Sequence, residues 1–262
     1  LEVENKSGRG LVRADCVIDA TGDADIAYRA GAECAKGENW LSLWALESSR
    51  TRMEEAVENP TARRMLGGVR VGAGASGKGH PPGMLTFDGT KGVEVSRFVL
   101  EGRRLLREHY TALYAEEGPD HRHRHFPIAL PSMAQFRTTR RIVGREILVE
   151  DGAGARRETS VGLIPDWRRA GPIWEIPYGT LVPREVTGLL TAGRCISAEG
   201  DAWEVARVIP PAALTGEIAG IAASLAVHTG TMPDQISNKE LQAALSERGI
   251  PIHIDQVIEM DG

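Results

Sequence analysis

The chain has 262 residues, 42% of them apolar and 26% charged, with 36 acidic against 31 basic side chains and a net charge of -5. That is enough length and apolar content to bury a core, which excludes a disordered chain and a disulfide-stapled miniprotein, and the acidic balance gives no footprint for nucleic acid. The bases comprise 26 Arg and 5 Lys, a bias that suits bidentate recognition of carboxylate or phosphate wherever an Arg lies inside a site.

In chain order, residues 1–4 and 11–20 are apolar-biased runs joined by a polar, Gly-containing connection, which predicts a hairpin. Cys16-Val17-Ile18 reads as a strand buried on both faces. It ends in Asp19-Ala20-Thr21-Gly22-Asp23, after which the spacing predicts a short helix closed by Gly31. From about residue 37 to 179 the texture changes: charged helical stretches at 50–66 and 95–117 alternate with Gly-rich and Pro-rich connections, which predicts a second domain inserted into the first. Leu189-Leu190-Thr191-Ala192-Gly193 restores the pattern of strand and glycine turn, so residues 16–20 and 189–192 are expected in one sheet. Residues 210–227 predict a long helix of small residues, a buried helix rather than a membrane span, with Gly216 and Gly220 turned to the sheet at close range. The tail predicts an amphipathic helix over 239–249 and a short strand over 250–254.

Several motifs could carry chemistry. Gly72, Gly74 and Gly77 match the spacing of the dinucleotide fingerprint, but Pro81 and Pro82 follow where that mechanism needs a helix, so a loop is expected. His121, His123 and His125 would share one face of a strand and could bind a transition metal; the interleaved Arg122 and Arg124 would repel the cation, and a solvated loop is expected. There is no Gly-x-Ser-x-Gly elbow. Cys16, Cys34 and Cys195 form no Cys-x-x-Cys pair, so neither a disulfide framework nor a zinc ribbon is indicated and a cytoplasmic setting is expected; Cys195 reads as a buried structural thiol.

Four blocks, Val17-Ile18-Asp19-Ala20-Thr21-Gly22-Asp23-Ala24-Asp25, Arg137-Thr138-Thr139-Arg140-Arg141-Ile142-Val143-Gly144, residues 176–183 and residues 190–223, together resemble the FAD-dependent oxidoreductases of the glutathione-reductase-like superfamily. The resemblance implies an α/β fold: a three-layer FAD-binding domain, here incomplete, with an inserted mixed α+β substrate or cap domain. The corresponding division is 1–36 and 181–232 for the FAD-binding domain, 37–180 for the insert and 233–262 for a C-terminal helix and tail. It also implies that Thr21, Gly22 and Asp23 lie at the edge of the FAD site and that Gly193, Arg194, Ser197 and Arg207, with the following helix, approach the flavin end. Arg137, Arg140 and Arg141 are expected either to face substrate or flavin or, equally, to cap helix C-termini and pair with Glu146 and Glu150, and Glu204 and Tyr178 are the weaker candidates for proton transfer.

Members of that family begin with a βαβ unit carrying Gly-x-Gly-x-x-Gly, which this chain lacks, so roughly the first third of such an enzyme is expected to be missing. The expected function is hydride transfer between a small-molecule substrate and FAD, with no nucleic-acid or membrane partner and a possible homo-oligomer. The alternative is a non-catalytic remnant, or a subunit that completes its cofactor site with another polypeptide.

Overall fold

A computed structural model describes residues 1–74, 77–118 and 120–258. The chain divides into two compact units: Leu1–Gly37 with Arg140–Gly262, and Glu38–Thr139. The inserted segment therefore ends at Thr139 and not at residue 180, because the strand beginning at Arg140 pairs back onto the first unit.

The first unit opens with a solvent-exposed hairpin, β1 (Glu2–Asn5) and β2 (Gly8–Leu11), with Asn5 opposite Gly8; the hairpin forms as predicted, but its second strand falls mostly within the stretch expected as the connection. Strand β3 (Val17–Asp19) leads through the glycine turn into α1 (Asp25–Arg29) and β4 (Cys34–Lys36).

The second unit has its own core. Strand β5 (Ser42–Ser49) is followed by α2 (Arg50–Glu58) and α3 (Ala62–Met65), divided at Pro60, then β6 (Gly67–Gly72), the 26-residue α4 (Gly92–Glu117), the single turn α5 (His121–Arg124) and β7 (His125–Ala129). An antiparallel sheet in the order β6-β5-β7 packs against α4. Leu41, Leu43, Ala45, Phe87, Phe98 and Leu106 fill the space between them. Gly102 lets α4 approach β5 closely, since a Cβ there would meet the Leu43 side chain at 2.7 Å. The expected solvated histidine loop is instead part helix and part strand. His125 Nε2 lies 2.9 Å from Glu47 Oε2, which also accepts a hydrogen bond from the Tyr110 hydroxyl at 2.9 Å, and His121 Nδ1 pairs with Glu117. A cluster of aromatic and acidic neighbours thus draws in two of the three imidazoles.

The chain then returns to the first unit with β8 (Arg140–Ile142), antiparallel to β4, and the hairpin β9 (Ser160–Pro165) and β10 (Ile173–Pro177). Strand β11 (Leu189–Thr191) lies parallel to β3, with Leu189 opposite Val17 and Thr191 opposite Asp19, so the two runs that end in glycine turns do share one sheet. Among the described residues β3 pairs with β11 alone, and Ile18 is 37% exposed. The expected burial on both faces is therefore not found. Helices α6 (Gly200–Ala206), α7 (Ile209–Thr229), α8 (Asn238–Glu247) and α9 (Asp255–Ile258) complete the unit.

Helix α7 is long and apolar enough to cross a membrane by length and composition, but its Pro211, Thr215, Ile218, Ala219, Ala222 and Ala226 face are buried. Ile218 and Ala222 meet Val161, Ile176, Leu190 and Ile196 in the core, joined by Leu241 and Leu245 of α8. Gly216 and Gly220 are not on that face: a Cβ at either would meet nothing within 4 Å, and Gly220 is exposed. The inward face carries Ile218 with alanines, each of which removes apolar side-chain area from water that a glycine does not have. The tail segment 250–254 is irregular instead of a strand. Pro251 offers no ladder donor, and the segment is tied down by the Ser160 hydroxyl donating to Ile252 O and by Ile254 N donating to Glu175.

Candidate functional site

Because β3 and β11 run parallel, their carboxyl ends lie side by side, and in an open α/β sheet that edge is where ligands bind. Both strands end in a glycine held at positive φ, Gly22 at 81° and Gly193 at 78°, a conformation that L side chains rarely adopt. Each turn is fastened from within. The Asp19 carboxylate, fully buried, accepts hydrogen bonds from Thr21 N at 3.0 Å, the Thr21 hydroxyl at 2.7 Å and Ala27 N at 2.8 Å. The Thr21 hydroxyl in turn accepts from Asp25 N at 3.0 Å, so it is committed to shaping the start of α1. Gly193 N donates to the Thr215 hydroxyl of α7 at 2.9 Å, which locks the second turn to the core helix.

Two arginines brace the first turn. Arg194 Nη2 donates to Asp23 Oδ1 at 2.8 Å, and its guanidinium packs where a Gly22 side chain would be, with Cζ 3.0 Å from the Cβ position. Arg140 Nε donates to Asp23 O at 2.8 Å, its Nη2 pairs with Asp25, and its guanidinium lies 4.2 Å from the Tyr28 ring centroid. Together they hold Ala24 in the left-handed region, φ 52°, where a non-glycine residue is strained. Thr21, Gly22, Asp23, Gly193 and Arg194 are thus brought together at one edge of the sheet, and Arg140 joins them through its bonds to the turn.

Ser197 is 1% exposed; its N–H donates to Thr180 O at 2.8 Å, while its hydroxyl has no partner among the described residues. Gly144 runs against it so closely that a Cβ would fall 2.8 Å from Ser197 Cβ. Trp203 of α6 donates its indole N–H to Arg194 O at 2.7 Å. Arg141, neighbour of Arg140 on β8, is buried, with its guanidinium 5.6 Å from the Trp203 ring.

The remaining candidates are placed elsewhere. Glu204 pairs with Arg207 one turn along α6, Nε to Oε2 at 3.0 Å, so each neutralises the other. Tyr178 is buried and donates its hydroxyl to Pro233 O at 2.7 Å; burial pushes its pKa well above the ordinary value, which suits a structural pin and not a proton donor near neutral pH. Arg137 belongs to the second unit, where its N–H donates to Asn39 Oδ1 at 3.0 Å. Cys195 is fully buried between the two turns, and its thiol is pushed up to about 12, chiefly by burial. Asp19, Trp203 and Thr215 went unnoticed as individual residues. The buried Asp at the end of an apolar strand, eight residues before a helical amide it can cap, was the one signal available for the first of them.

The Gly72, Gly74 and Gly77 segment follows β6 in the second unit, and Ala75 and Ser76 lie outside the described residues. Gly77 N donates to Gly74 O, Gly74 N to Lys78 O and His80 N to Gly77 O. The described amides of Gly74, Gly77 and His80 are thus spent on turns.

The first unit's residues fit one wall of a flavin site. Two glycine turns open at the same sheet edge, and two buried polar atoms there, the Ser197 hydroxyl and Arg141 Nε, lack partners among the described residues. The Gly22 turn opens only the five-residue α1, and a Gly-x-Gly-x-x-Gly loop leading into a helix, the arrangement that cradles a pyrophosphate, is not found among the described residues. No curated protein and no solved structure matches the chain. The sequence model of the family described as FAD dependent oxidoreductase matches residues 1–66 and 43–245, which covers most of both units, and the chain belongs to that family.

Proposed function

We propose that this chain supplies the flavin-ring and substrate side of an FAD-dependent oxidoreductase that transfers a hydride between FAD and a small molecule, in a cytoplasmic setting that keeps its three cysteines reduced. The single observation that carries the reading is the pair of positive-φ glycine turns, after β3 and β11, on one parallel sheet edge. When bound, FAD supplies the hydride chemistry at its ring system; the protein's part is orientation, water exclusion and charge. Gly22 and Gly193 allow backbone to approach a planar ring without a side chain in the way, and the Asp19, Arg140 and Arg194 contacts hold that backbone still. Helix α7 begins at Ile209 with Pro210 and Pro211 next, so its positive dipole end faces outward with Ile209 exposed at 84%. That helix end would favour negative charge on a flavin held near it.

The phosphate and adenosine contacts, in this reading, come from a βαβ unit outside the residues of this chain. Two features support it: a two-stranded parallel sheet is an unusual isolated object, because parallel strands are normally flanked on both sides, and Ala213, Gly216 and Gly220 leave a low, exposed face along α7. The missing unit joins β3 at its open edge, whether on the same polypeptide or on a second subunit. Calorimetric titration of the 262-residue chain with FAD tests this. The expected result is weak binding, since losing two or three charge-assisted hydrogen bonds of about 1.5 to 3 kcal/mol each costs several powers of ten in affinity. Supplying a segment with Gly-x-Gly-x-x-Gly should restore a yellow, flavin-loaded protein. A submicromolar dissociation constant for the chain alone would overturn the incomplete-site reading, and a completed protein that stays colourless would favour the non-catalytic alternative.

A further inference from the structure

Arg140 and Arg141 are adjacent on β8 and have opposite fates. The first is fully engaged with Asp23, Asp25 and Tyr28. The second has a side chain only 10% exposed, yet among the described residues one of its five N–H donors makes a hydrogen bond, Nη1 to Ile142 O at 3.2 Å. Its Nε is buried without a partner among the described residues. The carboxylate it meets is Glu199, whose Oε2 stands 4.0 Å from Nη2, beyond hydrogen-bond reach, on a side chain that is 51% exposed. Burial draws the guanidinium below its ordinary pKa and the loosely placed Glu199 does not offset this.

A cation taken out of water with so few bonds is costly unless something else compensates it. Structural arginines in this unit do not look like this: Arg168, for comparison, donates to both oxygens of Asp166 and both oxygens of Asp201. Arg141 is also oriented, with the Trp203 ring 5.6 Å from its guanidinium, and Trp203 is itself fixed by its bond to Arg194 O. Ser197, four residues from Gly193, adds a buried hydroxyl that also has no partner among the described residues.

We propose that Arg141 is the anchor for a carboxylate on the substrate, and that Glu199 stands in the carboxylate's place until the substrate displaces it. The planar fork of a guanidinium matches a carboxylate in two parallel hydrogen bonds. Arg140 and Arg194 are consumed by Asp23 and Asp25, so among the described residues of β8 and the two turns Arg141, with only the distant Glu199 beside it, is the positive charge least committed, and a single such charge balances a carboxylate better than a pyrophosphate. The inference deepens the flavin oxidoreductase reading by naming its substrate class and rests on that reading.

The test is calorimetry and thermal melting of the 262-residue chain with acetate, malonate and pyrophosphate at constant ionic strength, on the wild type, Arg141→Gln and Glu199→Gln. Saturable binding of acetate or malonate is expected in the wild type, weakened at least about tenfold in Arg141→Gln and tightened in Glu199→Gln, where the internal competitor has lost its charge. If Arg141→Gln fails to fold, Glu199→Gln decides alone: carboxylate affinity above the wild type supports the anchor, and unchanged affinity overturns it. Absence of saturable carboxylate binding in both the wild type and Glu199→Gln overturns it, and so does preference for pyrophosphate, which would assign the charge to a cofactor phosphate. The flavin reading fails separately. A protein completed with the Gly-x-Gly-x-x-Gly segment that takes up FAD but no carboxylate sinks only the anchor, and one that binds carboxylate but never FAD sinks only the flavin assignment.

Discussion

Replacing Asp19 by Asn changes one atom and removes one negative charge, and the turn after β3 should register it strongly. Asp19 accepts three hydrogen bonds on two oxygens: Thr21 N and the Thr21 hydroxyl on Oδ1, and Ala27 N on Oδ2. The carboxamide keeps one oxygen. Oriented to retain the two Thr21 bonds, it points an NH2 group at the Ala27 N–H, two donors facing each other. Ala27 is fully buried, so that amide finds no water in exchange. A charge-assisted hydrogen bond is worth about 1.5 to 3 kcal/mol and a stranded buried amide costs about 1 to 3 kcal/mol; the two overlap, and a loss of about 3 kcal/mol is expected. Urea unfolding gives the global loss. Hydrogen exchange on peptides covering residues 19–30 gives the local one, with α1 losing protection about a hundredfold. Thr21→Val serves as a control that removes only the hydroxyl's bonds and should cost less. A loss under about 1 kcal/mol with α1 protection unchanged would refute the role assigned to this carboxylate.

Gly220→Ala should raise stability by up to about 1 kcal/mol in urea unfolding, because the added methyl meets open space and alanine is the better helix former; a loss would place this face against something unseen. The carboxyls of Asp166 and Asp201 are held below their ordinary pKa chiefly by hydrogen bonds from Arg168. Groups with lowered folded-state pKa contribute stability above the ordinary carboxylate value of about 3.9 and lose it as pH falls below, so Asp201→Asn should flatten the acid side of the stability profile below about pH 4, and an unchanged slope would refute the pairing.

The parallel pairing of β3 with β11 was legible because each strand is a short apolar run ended by glycine, a combination with few other uses. Helix α4 was legible for its length and its apolar spacing. The end of the insert was not: residues 140–180 carry the same mix of glycine, proline and charge as the segment before them, and what assigns them to the first unit is long-range, Arg140 opposite Lys36 and Val161 and Ile176 in one core with Leu190 and Ile218. Gly216 and Gly220 misled because a small residue on a helix is equally the mark of close approach and of an empty exterior; sequence spacing fixes which residues share a face, not what that face meets. The difference between Arg140 and Arg141 lay beyond the sequence for a related reason. Successive side chains of a strand point to opposite faces, so two identical neighbours are bound to diverge, and nothing in their order says which one is spoken for.

The pairing of β4 with β8 has a topological consequence. Lys36 and Arg140 are directly opposed in an antiparallel ladder, so the pair is a hairpin whose loop is residues 37–139, an entire second unit with its own core. Loop-closure entropy rises only with the logarithm of length, each doubling adding about 0.6 kcal/mol, so a hairpin can host such a guest at little thermodynamic cost once the base of the ladder is in register. The register is pinned at that base by Arg140 itself, which reaches past its own strand to clamp Asp23 and Asp25. As far as that ladder is concerned the second unit is an insertion at the hairpin's tip: a short turn joining Lys36 to Arg140 would satisfy the same pairing.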